Sequence, residues 1–125
     1  MEFYHDNQFE GKNFINGKWR ACVLNSIHPH LYTKLNPSNG KPLGKFPLSG
    51  PIEVEIAIES ARRTFHKWKK VSRFVRSDYM NKVARLVEER RGELAKAISL
   101  ETGKNFNESI AEVNEALHMA QFAFG

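Results

Sequence analysis

The sequence predicts an α+β segment, two amino-terminal β-hairpins followed by three to four amphipathic helices, on three observations. Asn16-Gly17 stands between the strand formers Phe14-Ile15 and Lys18-Trp19. Asn-Gly is a strong hairpin signal because a type I′ turn needs positive φ at both central positions. Asn36-Pro37-Ser38-Asn39-Gly40-Lys41 punctuates the chain in the same way between Tyr32–Leu35 and Pro42–Pro47. From Val54 onward, apolar residues recur at steps of three and four, the period of a helix with one apolar face.

Residues 1–12 are polar and uneven and read as a flexible leader. Residues 13–48 hold the hairpins. The strand after Asn16-Gly17 is expected to continue through Arg20-Ala21-Cys22-Val23-Leu24, and a less regular connection from Asn25 to Leu31 contains His28-Pro29-His30. Pro42 and Pro47 bracket the last strand of the second hairpin. Proline cannot donate to a ladder, so an edge position is expected for it.

Residues 49–125 hold the helices. Ser49-Gly50-Pro51 opens the first, with proline suited to its first position and acidic residues in its first turn. Its expected stripe is Val54, Ala57, Ile58, Ala61, Phe65 and Trp68. Ser72 suits the cap of the next, where Val75, Tyr79, Val83, Leu86 and Val87 keep the period. Gly92 implies a break or bend near Arg91, after which Leu94, Ala97 and Ile98 resume the stripe. Glu101-Thr102-Gly103-Lys104 then makes a corner: Gly103 fits the left-handed residue that ends a helix, and Lys104 sets positive charge near its carbonyl end. Asn105 caps the last helix, with Glu108 three residues on in capping-box position. Phe106, Ile110, Val113, Leu117, Ala120 and Phe124 form its main stripe, and Met119, Phe122 and Ala123 a second apolar edge that one helix layer cannot cover as well.

With 125 residues, 41% hydrophobic and 26% charged, the chain has the composition of a globular domain and is short for a cofactor enzyme. No apolar run reaches membrane-spanning length, and Met1-Glu2-Phe3-Tyr4-His5-Asp6 lacks the pattern of a secretory signal. A lone Cys22 forms no internal disulfide, so the expected setting is reducing and cytoplasmic. The net charge of +5 concentrates in Arg62, Arg63, Lys67, Lys69, Lys70, Arg73 and Arg76. Such a patch suits nucleic acid, an anionic membrane or an acidic partner. Because Glu53, Glu55 and Glu59 begin the same helix and basic residues end it, the helix dipole explains the polarity without a ligand. Neither nucleic acid nor membrane is expected as a partner.

The pieces, in order, carry a resemblance. Phe14-Ile15-Asn16-Gly17-Lys18-Trp19, Asn36-Pro37-Ser38-Asn39-Gly40-Lys41-Pro42-Leu43-Gly44, the helix Ile56 to Trp68 with its late Phe and Trp, Glu93-Leu94-Ala95, and Leu100-Glu101-Thr102-Gly103-Lys104 together resemble the amino-terminal region of the aldehyde dehydrogenase superfamily. The resemblance covers Asn13 onward. It implies that residues 13–125 begin the α/β NAD(P)-binding domain of a longer homo-oligomeric enzyme that oxidises an aldehyde to an acid. In that chemistry a cysteine thiolate attacks the carbonyl, amides hold the oxyanion, hydride passes to NAD or NADP, and a glutamate activates water.

The motifs expected for that chemistry do not occur here: a Gly-Gln-x-Cys segment, a glutamate before paired glycines, and a Pro-Trp-Asn-Phe segment. Nor does a Gly-rich phosphate loop. No residue is therefore assigned as catalytic, cofactor-binding or metal-ligating, and the chain alone is expected to be inactive and to bind no cofactor well.

Cys22 has no matching context for a nucleophile. His28 and His30 lack a Cys or Asp cluster to complete a metal site. His66 and His118 lack an evident acid or nucleophile partner, and Glu101 and Thr102 read as structural. The expected partner is the remainder of an aldehyde dehydrogenase polypeptide, or self-association, and the isolated chain is expected to be marginal, oligomeric or aggregation-prone. The alternative is a self-contained helical interaction module using residues 62–76 against an acidic partner.

Overall fold

The computed structural model describes residues 9–21 and 31–124, the last by its backbone alone. In chain order these form β1 (Phe9–Glu10), β2 (Asn13–Ile15), β3 (Lys18–Arg20), β4 (Leu31–Leu35), β5 (Pro42–Pro47), α1 (Pro51–Trp68), α2 (Arg73–Glu89), α3 (Arg91–Thr102) and α4 (Phe106–Phe124). The strands and α1 make one compact unit. The second consists of α2, α3 and α4 together with the short turn Asn36–Asn39.

In the first unit, β2 and β3 pair antiparallel, with Phe14 opposite Trp19. Asn16 and Gly17 both take positive φ, 54° and 71°, the geometry a two-residue turn requires. The rings of Phe14 and Trp19 meet at 4.9 Å between centroids. Alternation turns Ile15 inward, where it is buried, while Phe14 and Trp19 stay exposed. The strand expected through Leu24 ends at Arg20, and Cys22, Val23 and Leu24 lie outside the described residues, as do His28 and His30.

β4 and β5 form the second antiparallel pair, and β1 adds to β5 in parallel, giving the order β1-β5-β4. Two expectations change here. Phe9 and Glu10 were placed in the leader, yet they pair with Gly44 and Lys45, and Gly11 N–H donates to Lys45 O at 2.8 Å. The strand bracketed by prolines lies in the middle of its sheet instead of at an edge. The reason is positional: Pro42 and Pro47 are the first and last residues of β5, and the pairing with β1 falls between them. Gly44 makes room for it, since a β-carbon there would strike the backbone of Phe9.

α1 begins after Gly50, whose N–H donates to Glu53 Oε2 at 2.9 Å. Glu53 thus supplies one half of a capping box in which glycine has no side chain to supply the other. Glu53 and Ser60 are buried. Val54, Ile58, Phe65 and Trp68 of the expected core stripe are exposed, so α1 turns a more polar face to its own unit than its apolar period predicts.

In the second unit Ser72 caps α2, its Oγ accepting from Val75 N–H at 3.3 Å. α2 ends at Glu89 and α3 begins at Arg91, with Arg90 the cap shared by both. Arg90 forks onto Glu93 through two hydrogen bonds of 2.9 and 2.6 Å. α2 packs on α4 around Ala84, Leu117 and Ala120, with Val87 against them. The stripe expected for α2 divides: Val87 joins this core, while Val75, Tyr79, Val83 and Leu86 remain exposed.

Candidate functional site

The corner between α3 and α4 is closed by a set of hydrogen bonds. Gly103 ends α3 with φ 78° and donates its N–H to Ser99 O at 3.0 Å. Thr102 Oγ1 donates to Ile98 O at 2.7 Å and accepts from Lys104 N–H at 3.3 Å, closing the turn locally. Asn105 Oδ1 caps α4 by accepting from Glu108 N–H at 3.0 Å. Lys104 Nζ pairs with Glu112, one turn beyond Glu108. That hydrogen bond, then the carboxylate's charge, raises the Lys104 pKa above its ordinary value.

Behind the turn, Ser109 is fully buried. Its Oγ lies 3.0 Å from Asn105 O and 2.8 Å from Ser99 Oγ. Ala95, also fully buried, stands one turn before Ser99. Small side chains at these positions let α3 and α4 approach closely, and the hydroxyls satisfy each other where water is excluded. Ser99 and Ser109 carried no weight in the sequence reading. The usable signal was small residues four apart, Ala95 and Ser99, just before a helix-ending glycine.

The turn Asn36–Asn39 packs on this corner. Asn36 is buried; its Oδ1 accepts from Ser38 N–H at 2.8 Å and its carbonyl from Asn39 N–H at 3.3 Å. A β-carbon on Gly103 would lie 3.1 Å from Pro37 Cγ. Asn36–Asn39 and Leu100–Lys104, each from a segment that carries the resemblance, therefore meet at one point.

In the first unit a cleft of about 270 Å³ is lined by Asn13, Phe14, Ile15, Ser49, Glu53, Val54 and Ala57. Asn13 Nδ2 donates to Ser49 Oγ at 2.8 Å across its rim. Of the basic residues, Arg62, Arg63, Lys67, Lys69 and Lys70 are exposed on the first unit and Arg73 and Arg76 on the second. Arg62 lies 3.9 Å from Glu59, Lys69 lies over the Phe65 ring and Arg73 over that of Phe74. His66 is exposed with its ring edge toward Phe65, and His118 is exposed on α4.

No group of three or more His, Cys, Asp or Glu suited to a metal occurs among the described residues, and no helix there is long and apolar enough to cross a membrane. A pyrophosphate is held by free amides at a helix start; among the described residues the first turns of α1, α3 and α4 carry Glu53, Glu93 and Glu108, and Ser72 and Asn105 occupy amides of α2 and α4.

The aldehyde dehydrogenase family matches this chain over residues 25–125. Malonate-semialdehyde dehydrogenase 2 of Bacillus cereus is 33% identical over 114 residues, which are 91% of this chain and 22% of that protein. Another Bacillus cereus malonate-semialdehyde dehydrogenase is 36% identical over 112 residues, 90% of this chain and 22% of its own length. Among solved structures, an NAD-dependent aldehyde dehydrogenase from Sinorhizobium meliloti shares the fold with a TM-score of 0.86 at 27% identity, over 94% of this chain and 23% of that one. An aldehyde dehydrogenase variant from Pseudomonas syringae, in complex with NAD+ and octanal, gives 0.81 at 28% identity, over 89% of this chain and 22% of the other. The chain thus spans about a fifth of the length of the curated relatives it matches. Hairpins, helix corner and family match point the same way: the chain belongs to the aldehyde dehydrogenase family.

Proposed function

We propose that the chain is the amino-terminal part of an NAD(P)-dependent aldehyde dehydrogenase and contributes scaffold to its cofactor-binding domain. The carrying observation is the corner at Gly103, where the Asn36–Asn39 turn and the start of α4 are each fixed by local hydrogen bonds and Pro37 leaves no room for a β-carbon on the glycine. The approach of Pro37 to Gly103 brings together pieces far apart in sequence, in a fold shared with enzymes of this class.

In this reading residues 13–125 supply no group that touches aldehyde or cofactor, and NAD or NADP accepts hydride at residues contributed by the rest of the enzyme. The named curated relatives are malonate-semialdehyde dehydrogenases. A short semialdehyde bearing a carboxylate is therefore the substrate class to try first. The test is an assay of the chain within a complete dehydrogenase: reduction of NAD or NADP with malonate semialdehyde supports the reading, and its absence with every aldehyde tried defeats it. Oxidation by the 125-residue chain alone would overturn the assignment of a purely scaffolding role.

The second reading, an interaction module, has one observation in its favour: Arg62, Arg63, Lys67, Lys69 and Lys70 are all exposed. Capture of an acidic protein by the chain, lost on charge reversal at Lys67, Lys69 and Lys70, would favour it.

A further inference from the structure

The cleft of about 270 Å³ in the first unit combines an apolar lining with one charge. Phe14 and Ile15 of β2 and Val54 and Ala57 of α1 supply the apolar part. Asn13, Ser49 and Glu53 supply the polar part, and Glu53 is the only one of the seven that is ionised at neutral pH. Glu53 keeps only 7% of its surface exposed. A carboxylate so enclosed is costly unless donors or a positive charge meet it. Gly50 N–H donates to its Oε2 at 2.9 Å, which takes one of the roughly four positions at which a carboxylate accepts.

The chemistry of the lining selects the ligand. An anion is repelled by Glu53. A hard metal ion needs several oxygen ligands, whereas the cleft offers a single carboxylate and no group of three or more His, Cys, Asp or Glu suited to a metal occurs among the described residues. A primary ammonium asks for less, because its compact head carries one charge and three donors. Asn13 and Ser49, joined at 2.8 Å across the rim, place further side-chain oxygens on the same cleft. Phe14, 60% exposed, offers a ring face to a cation and an apolar surface to a carbon chain. The volume lies under the roughly 300 Å³ at which pockets for drug-sized molecules begin, so the chain is short.

We propose that this cleft binds a short primary alkylammonium ion, with its head on Glu53 and its carbons against Phe14, Ile15, Val54 and Ala57. Bound there, the ligand ties β2 to the first turns of α1 and adds to the Asn13–Ser49 bond. The ammonium belongs either to a free amine or to a lysine side chain of another polypeptide.

The test titrates the 125-residue chain with n-butylammonium chloride at constant ionic strength. NMR follows the Gly50 amide and the indole N–H of Trp19, whose ring lies 4.9 Å from that of Phe14. Saturation in the millimolar range is expected, since so small a ligand makes few contacts. Butyrate is expected to give no saturable shift, and n-butanol to bind at least about tenfold more weakly than the ammonium. Glu53→Gln keeps an acceptor for Gly50 N–H and is expected to weaken the ammonium about tenfold or more while leaving n-butanol unchanged. Val54→Phe fills the cleft from a half-exposed position, away from the buried carboxylate, and is expected to weaken both. If Glu53→Gln does not fold, Val54→Phe and the comparison with butyrate decide.

Nα-acetyl-lysine methylamide separates the two sources. Tighter binding than n-butylammonium assigns the cleft to a lysine side chain, and weaker binding assigns it to a free amine. Shifts that stay linear to about 100 mM would overturn the proposal, since they report no site. So would equal binding of n-butylammonium and butyrate, or binding of the ammonium undiminished in the folded variants.

Discussion

Pro37 closes off the space beside Gly103: a β-carbon on the glycine would stand 3.1 Å from the proline Cγ, and the glycine also holds φ 78°. One residue thus ends α3 and seats the Asn36–Asn39 turn. Gly103→Ala is expected to cost about 1–2 kcal/mol for the left-handed backbone alone, with a further loss from the contact. Urea unfolding followed by tryptophan fluorescence measures both. If Pro37→Ala recovers none of the loss, the contact has no energetic weight.

Ser109→Ala removes a buried hydroxyl bonded to Asn105 O and Ser99 Oγ. The expected loss is about 1–3 kcal/mol, because Ser99 keeps a polar group with nothing to bond. Changing both serines to alanine is expected to cost less than the sum of the single changes. Strict additivity would mean that the two hydroxyls are not coupled.

Leu117 and Phe122 lie on one helix with opposite surroundings, buried and exposed. Leu117→Ala is expected to destabilise the chain by about 2–5 kcal/mol. Phe122→Ser is expected to change its stability by less than about 0.5 kcal/mol while reducing aggregation, as seen by light scattering. Equal destabilisation by the two would contradict the burial pattern of α4.

Two ion pairs give opposite responses to pH. The hydrogen bond from Arg90, with the guanidinium charge beside it, holds the Glu93 carboxyl below the usual glutamate range. A depressed acid contributes stability above its unfolded pKa and loses it as pH falls through the folded value. The raised Lys104 contributes below its unfolded pKa and loses that contribution as pH rises through the folded one. Both pairs are exposed, so the effects are small and salt-sensitive. NMR titration is expected to show the Glu93 pKa rising in Arg90→Gln and that of Lys104 falling in Glu112→Gln.

Signals between near neighbours were legible in the sequence. Asn16-Gly17, Ser72, Gly103 and Asn105 each act within four residues, and each sits where its local chemistry places it. What the sequence did not reveal depends on groups distant along the chain. The period of α1 marks Val54, Ile58, Phe65 and Trp68 as apolar, but the face it buries carries Glu53 and Ser60. Periodicity reports that a stripe exists without saying what lies opposite. The middle position of β5 was hidden for a related reason, since β1 is two residues long and Phe9-Glu10 alone carries no strand signal. The corner was readable as a turn, whereas the Ser99–Ser109 bond behind it needed the crossing of α3 and α4 to be known.

The prolines at the two ends of β5 bound the length of its ladder. Pro42 and Pro47 each lack an amide hydrogen, so the strand offers its full donor row only from Leu43 to Phe46. A ladder extended past either end would meet an imide nitrogen in place of a donor. Lengthening of the ladder is thereby checked at both ends of the strand.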